Sequence, residues 1–196
     1  MSIKNRLTDP IEVDGEETTL LREIISLLLY LVFVFAAVFL IIHFVGQRTT
    51  VSGSSMEDTL SNGDNLIVDK ISYRFHDPER FDVVVFPYRY QEKTYFIKRV
   101  IGLPGETIWI DADGNIYING EVLKEDYGRE VIKYAGLAES PIVLGDDEFF
   151  VMGDNRNNSE DSRFADVANL KRSEIIGRAW VRIYPFNEIG FVDDIK

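Results

Sequence analysis

Residues 24–45 read IISLLLYLVFVFAAVFLIIHFV. The run holds no Lys, Arg, Asp or Glu, and neither Gly nor Pro interrupts it. A helix over these residues rises roughly 33 Å at 1.5 Å per residue, enough to cross a hydrocarbon core of about 30 Å. A buried core helix of this length usually carries a polar stripe, and this run has none. A secretory signal peptide has an apolar core of about 7–15 residues and small residues at its cleavage site. Here the run is longer and leads into His43-Phe44-Val45-Gly46-Gln47-Arg48. The segment therefore reads as an uncleaved transmembrane helix held in a lipid bilayer. It divides the 196 residues into a tail at 1–23, an anchor at 24–45 and a domain at 46–196.

The flanks suggest an orientation. Lys4, Arg6 and Arg22 precede the run, and in the comparable stretch after it only Arg48 is basic. Basic residues stay on the cytoplasmic side. The expectation is a single-pass cell-membrane protein with a cytoplasmic tail and an extracytoplasmic domain. His43, close to the headgroup level, reads as an interfacial residue and not as an intramembrane proton site.

Composition removes several classes. Lys and Arg total 21 and Asp and Glu 33, a formal net charge of −12. Nucleic-acid phosphates need concentrated positive charge, so no nucleic-acid partner is expected. There are no cysteines, which excludes disulfides, thiolate metal sites and cysteine nucleophiles. Two histidines, His43 and His76, are too few for a histidine metal cluster. No metal and no cofactor is expected. The sequence carries no signal for oligomeric state.

Beyond the anchor, short alternating runs sit between turn signals: NLIVDK at 65–70, DVVVF at 82–86, KTYFIKRVI at 93–101, EFFVM at 148–152 and WVRIY at 180–184. The runs at 107–110 and 116–118 flank Asp111-Ala112-Asp113-Gly114-Asn115, a hairpin signal. That loop resembles the start of a calcium loop, but Gly114 falls too early and no acidic ligand follows at the required distance. Helical periodicity is scarce, with 167–176 as the one candidate. The expected fold class is mainly β: an antiparallel sandwich or partly closed barrel preceded by one transmembrane helix. Residues 46–51 read as a short connector that keeps the domain close to the bilayer.

Three segments could carry chemistry. The first is VSGSSMEDTL at 51–60, a Ser/Gly turn that could display Ser55 as a nucleophile. A serine needs a base, because its hydroxyl is scarcely ionised at neutral pH. His43 lies in the anchor and His76 in a turn, so a Ser/His/Asp triad is disfavoured. The second segment, YFIKRVI at 95–101, offers Lys98. On a strand Lys98 shares a face with Phe96 and Val100, and desolvation there would lower its pKa by up to about 3–5 units if burial were complete. Arg99 points to the other face and cannot act as a base. Against this stands the plain alternative that Lys98 snorkels to solvent. The third segment is GDNRNNSEDSR at 153–163, either a solvated loop or a self-satisfying network of ions and hydrogen bonds beside a site.

Taken together, these segments resemble the bacterial branch of the signal peptidase I family, membrane-bound serine endopeptidases. Four separated motifs follow the family order: VSGSSMEDTL, GDNLIVDKISYRF from Gly63, DVVVF…YFIKRVIGLPGE from Asp82 to Glu106, and GDNRNNSEDSR. The resemblance spans 24–185. A lysine stands where the endoplasmic-reticulum branch has histidine.

The resemblance implies that Ser55 is the nucleophile and Lys98 the general base, with the Ser55 N–H as one oxyanion donor. It implies that Ser159 hydrogen-bonds and orients the Lys98 amine. Asp161 and Arg163 would form an ion pair near the site, with Asp154 supporting that loop. Met56 would pack beneath the substrate. The implied partners are exported preproteins, cut after small-x-small sites through an acyl-enzyme. The chain departs from the family pattern at Asp58, where proline is common, and at Phe81, where glycine is common. It departs also at Asn157, for a common aspartate, and at Gly53, where some members have an oxyanion-hole hydroxyl. Two other readings stay open at this level. One is a Ser/Lys self-cleaving protein of the repressor type. The other is a catalytically silent, anchored preprotein-binding module.

Overall fold

The computed structural model describes residues 15–44, 46–91 and 93–192. Most of the expected tail, Val45 and the side chain of His43 lie outside the described residues. Helix α1 runs Gly15–Phe44 and starts well before the apolar run. Within it, Leu20–Phe39 is long and apolar enough to cross a membrane, with a mean hydropathy of 2.2. Nearly all its side chains face outward.

The second compact unit is β-rich. Its strands are β1 (Gly46–Thr50), β2 (Asn65–Asp69), β3 (Val83–Pro87), β4 (Tyr95–Gly102), β5 (Thr107–Ile110) and β6 (Ile116–Ile118). There follow β7 (Glu121–Val122), β8 (Ile142–Val143), β9 (Glu148–Met152), β10 (Leu170–Lys171), β11 (Gly177–Tyr184) and β12 (Gly190–Phe191). The larger sheet has the order β1-β2-β11-β3-β4-β9-β10, with β12 paired on β11. The smaller has the order β7-β6-β5-β8. Every pairing is antiparallel, and neither sheet closes among the described residues, so the fold is mainly β and partly open.

Period-two side chains sort the core. On β9, Phe149 and Val151 enter one apolar cluster with Val84, Phe86 and Val100, while Phe150 and Met152 enter another with Ile101, Ile108 and Leu144. A third cluster joins Val51, Met56, Leu60, Leu66 and Val83 beneath the serine segment.

Two expectations need correction. Residues 46–51 are not a mere connector, because Gly46–Thr50 pairs along its length with β2. Residues 167–176 form no α-helix. They hold the two-residue strand β10 and a 3₁₀ turn at Arg172–Glu174; Leu170 reaches the core from β10, and Val167 and Ile175 reach it from irregular chain. Loops satisfy themselves locally. Asp111 accepts the N–H groups of Asp113 and Asn115 at 3.0 and 2.8 Å, which closes that loop as a turn.

Candidate active site

The serine segment is held at both ends. Val51 N–H donates to the Asp64 carbonyl at 2.8 Å, and Gly63 N–H returns to Val51 at 2.9 Å. Gly53 takes a φ of +97°, a left-handed conformation open to glycine at little cost. Its N–H donates to Asn62 Oδ1 at 3.0 Å. A tight turn follows, with Glu57 N–H on the Ser54 carbonyl and Leu60 N–H on that of Met56. Met56 and Leu60, 2% and 0% exposed, pin the turn into the core. Ser55 is left half-buried on the side facing a cleft.

Strand β4 brings up the lysine. Lys98 Nζ lies 2.8 Å from Ser55 Oγ and donates to the Ile97 carbonyl at 3.0 Å. It sits 4.9 Å above the Phe96 ring. Lys98 is 3% exposed. Burial pushes its pKa from an ordinary 10.5 down to about 8, against a smaller upward pull from Asp161, Glu160 and Asp154. At pH 7 a group of pKa 8 is neutral about one time in ten, against roughly one in three thousand at 10.5.

The acidic loop is a dense network. Asp161 pairs with Arg163 through Nε–Oδ1 and NH2–Oδ2 contacts of 2.8 Å each, both side chains buried. Asp161 also accepts the Gly153 N–H at 3.1 Å, and Arg163 reaches the carbonyls of Tyr134 and Arg156. Asp154 turns toward β4 and grips Arg99, with Thr59 Oγ1 at 2.6 Å. The structure thus brings together Ser55, Lys98, Met56, Asp154, Asp161 and Arg163. The expected Ser159–Lys98 hydrogen bond is not formed. Ser159 Oγ is buried without a hydrogen-bond partner among the described residues, packed against Gly153 next to the Ser55 carbonyl. His76 is exposed, edge-on to Tyr73, and takes no part.

Sequence reasoning missed Asn155, Asn158 and the role of Arg99. Asn155 fastens the serine segment from outside, its N–H on the Ser55 carbonyl at 3.1 Å and its Nδ2 on the Ser54 carbonyl at 3.0 Å. Asn158 Nδ2 donates to Ser54 Oγ at 2.8 Å. Arg99 left a signal: a guanidinium inside an apolar strand requires a buried acid.

The cleft has a volume of about 340 Å³ and is lined by the Ser55 segment, by Tyr95–Lys98 and by Asn158 and Glu160. Two strand edges border it. Among the described residues, strand β1 pairs on one side, with β2. Strand β4 pairs with β9 only from Arg99 onward, so Tyr95–Lys98 keep a free edge there.

A family model described as "Signal peptidase, peptidase S26" matches residues 24–184. A protein named probable signal peptidase I-2, from Synechocystis sp., is 41% identical over 156 residues, 77% of this chain and 69% of its own length. Signal peptidase I of Leptolyngbya laminosa is 43% identical over 154 residues, 75% of this chain and 73% of its own. A crystal structure of signal peptidase I from Enterococcus faecalis aligns with 53% of this chain and 97% of that one, at a TM-score of 0.44 and 32% identity.

Proposed function

Since the chain belongs to the signal peptidase family, peptidase S26, we propose that Ser55 and Lys98 carry out its reaction, the removal of N-terminal signal peptides from exported preproteins. The observation that carries this assignment is the 2.8 Å approach of Lys98 Nζ to Ser55 Oγ, with the amine out of water.

Neutral Lys98 takes the Ser55 proton as Oγ attacks the carbonyl carbon after a small-x-small sequence. The new C–O bond forms, and the carbonyl π pair moves onto its oxygen. Collapse expels the amine of the mature protein, which takes the proton from Lys98. Water, deprotonated in turn by Lys98, hydrolyses the acyl-enzyme and restores Ser55. Ser159 would orient the Lys98 amine only after a rotation of its hydroxyl, which is buried with its proton uncommitted among the described residues. The Asp161–Arg163 pair and Asp154 hold the loop behind the dyad, and Met56 forms the floor. The free edges beside the cleft suit an extended substrate that adds as a strand.

The anchor keeps this domain at the membrane. We place the N-terminus in the cytoplasm and the catalytic domain outside, in a single pass. The basic residues Lys4, Arg6 and Arg22 before the apolar run support this.

Cleavage of a preprotein in detergent by the wild type, Ser55→Ala and Lys98→Ala tests the dyad. Both variants are expected to be inactive while folded. Substantial cleavage by either removes Ser55 or Lys98 from the mechanism.

A further inference from the structure

The negative charge that develops on an attacked carbonyl oxygen is stabilised by fixed donors, and losing one of them costs about 10²- to 10³-fold in kcat. Ser55 N–H donates to no protein acceptor among the described residues and supplies one. Gly53, two residues earlier, has no side chain to supply another. The observations that fill this gap lie on Ser54.

An extended chain would send the Ser54 side chain away from that of Ser55. The chain is not extended here. The Ser54 carbonyl takes the Glu57 N–H at 3.2 Å and Asn155 Nδ2 at 3.0 Å, and the turn puts Ser54 on the wall of the cleft that Ser55 and Lys98 also line. There Ser54 Oγ accepts a hydrogen bond from Asn158 Nδ2 at 2.8 Å. A hydroxyl has one proton and two lone pairs. Asn158 occupies a lone pair and so fixes the oxygen. The proton has no acceptor among the described residues. Two uncommitted donors on consecutive residues thus border the same cleft as the nucleophile.

We propose that the Ser54 hydroxyl is the second oxyanion donor of this site and that Asn158 is the positioning residue that aims it. The inference rests on Ser55 as nucleophile and Lys98 as base. As the Ser55 oxygen bonds to the carbonyl carbon and its proton passes to Lys98 Nζ, the π pair localises on the former carbonyl oxygen. That oxygen then accepts hydrogen bonds from Ser55 N–H and Ser54 O–H. When the intermediate collapses, the pair returns to the C=O bond and both donors stay in place. Neither donor loses its proton.

The test uses the full chain in detergent, with Ser54→Ala, Ser54→Thr, Asn158→Ala and the Ser55→Ala control. Each is assayed for kcat and KM on a preprotein peptide. Each is also assayed for affinity toward a peptide aldehyde with a small-x-small end, which adds to Ser55 as a tetrahedral hemiacetal. Ser54→Ala is expected to lower kcat by about 10- to 10³-fold, with KM within about twofold of wild type. It should weaken aldehyde binding by a similar factor and leave the pH midpoint of cleavage unmoved. Ser54→Thr should recover most of the loss, and Asn158→Ala should cost less than Ser54→Ala and add little to it. A Ser54→Ala enzyme within about threefold of wild-type kcat overturns the proposal. So does a loss that comes with a raised KM and is not recovered by threonine, since that marks a structural role. Cleavage by the Ser55→Ala control has a different meaning: the dyad itself is wrong, and the oxyanion assignment falls with it.

Discussion

The Arg99 guanidinium holds the Asp154 carboxylate through two bonds, Nε–Oδ1 at 2.9 Å and NH2–Oδ2 at 2.7 Å, and the two side chains are 1% and 0% exposed. Arg99 follows Lys98 on β4, and Asp154 precedes Asn155, which fastens Ser55. The pair therefore ties the strand of the proposed base to the loop that fixes the proposed nucleophile. Arg99 also donates to the Phe81 carbonyl at 2.9 Å and lies 3.7 Å over the Tyr127 ring. Removing one partner of a buried pair leaves the other charge uncompensated, at about 3–5 kcal/mol. Asp154→Asn or Arg99→Met is expected to lower unfolding free energy by that order and to depress cleavage at temperatures where the variant is still folded. Urea titration in detergent measures it. A loss below about 1 kcal/mol would show that the pair is not buried in solution.

The segments alone made Ser55 and Lys98 candidates, a serine displayed in a Ser/Gly turn and an amine in an apolar strand, and the resemblance of the four motifs is what implied their pairing. The strands read in the sequence were the ones with apolar runs between turn signals, such as EFFVM at β9, which is buried on both faces. Strand β1, GQRTT, has no large apolar side chain and is held by backbone pairing with β2, for which sequence has no pattern. The apolar residues at 167–176 imitate a helix face, yet each reaches the core separately. Asn155 and Asn158 act on Ser54 across 101 and 104 positions. A polar loop residue gives no local sign of such a partner. Phe81 shows the opposite case. It stands where glycine is common in the family, and its φ of +76° gives the physical reason for glycine there.

Cleavage should follow the ionisation of Lys98. Only the neutral amine accepts the Ser55 proton, and burial sets its pKa at about 8. Single-turnover kcat/KM is expected to rise tenfold per pH unit below about pH 7 and to level off above about pH 9. Stopped peptide-cleavage assays from pH 5.5 to 10 read this directly. A flat profile in folded protein would remove Lys98 as base.

The same depressed pKa makes Lys98 a liability for stability. The unfolded chain binds the proton up to about 10.5 and the folded chain only up to about 8. Between these values the unfolded state carries more protons, so stability rises with pH through that window. Below pH 8 the folded state bears the full cost of an ionised buried amine, about 3 kcal/mol. Lys98→Met removes the charge and keeps most of the volume. It is expected to be inactive yet more stable than wild type at pH 6, by up to that amount. The advantage should shrink steadily above pH 8 and be gone near pH 10.5. Melting temperatures of both proteins across this range check the sign, and a Lys98→Met protein less stable at pH 6 would refute it.

Gly153 is the position where one added carbon should disarm the site without touching either reacting group. A Cβ there would stand 2.3 Å from Ser159 Oγ and 2.4 Å from the Ser55 carbonyl oxygen, far inside contact distance. Turning the Ser159 hydroxyl relieves only part of the clash, since the Ser159 Cβ would also stand at 2.6 Å, and the Ser55 carbonyl is backbone and already held by Asn155 N–H at 3.1 Å. The Asp161 carboxylate fixes the Gly153 N–H at 3.1 Å, so the glycine side cannot retreat freely. The serine segment must move, and it carries Oγ away from Lys98 Nζ. Overpacking of this kind costs about 1–3 kcal/mol in stability. A displacement of about 1 Å at a reacting atom costs on the order of 10²-fold in rate. Gly153→Ala is expected to lose kcat by about that factor, a larger fall than its stability loss explains. Ala at Gly190, which has nothing within 4 Å of its Cβ, serves as the control. Equal activity for the two variants would mean that the loop gives way without moving Ser55.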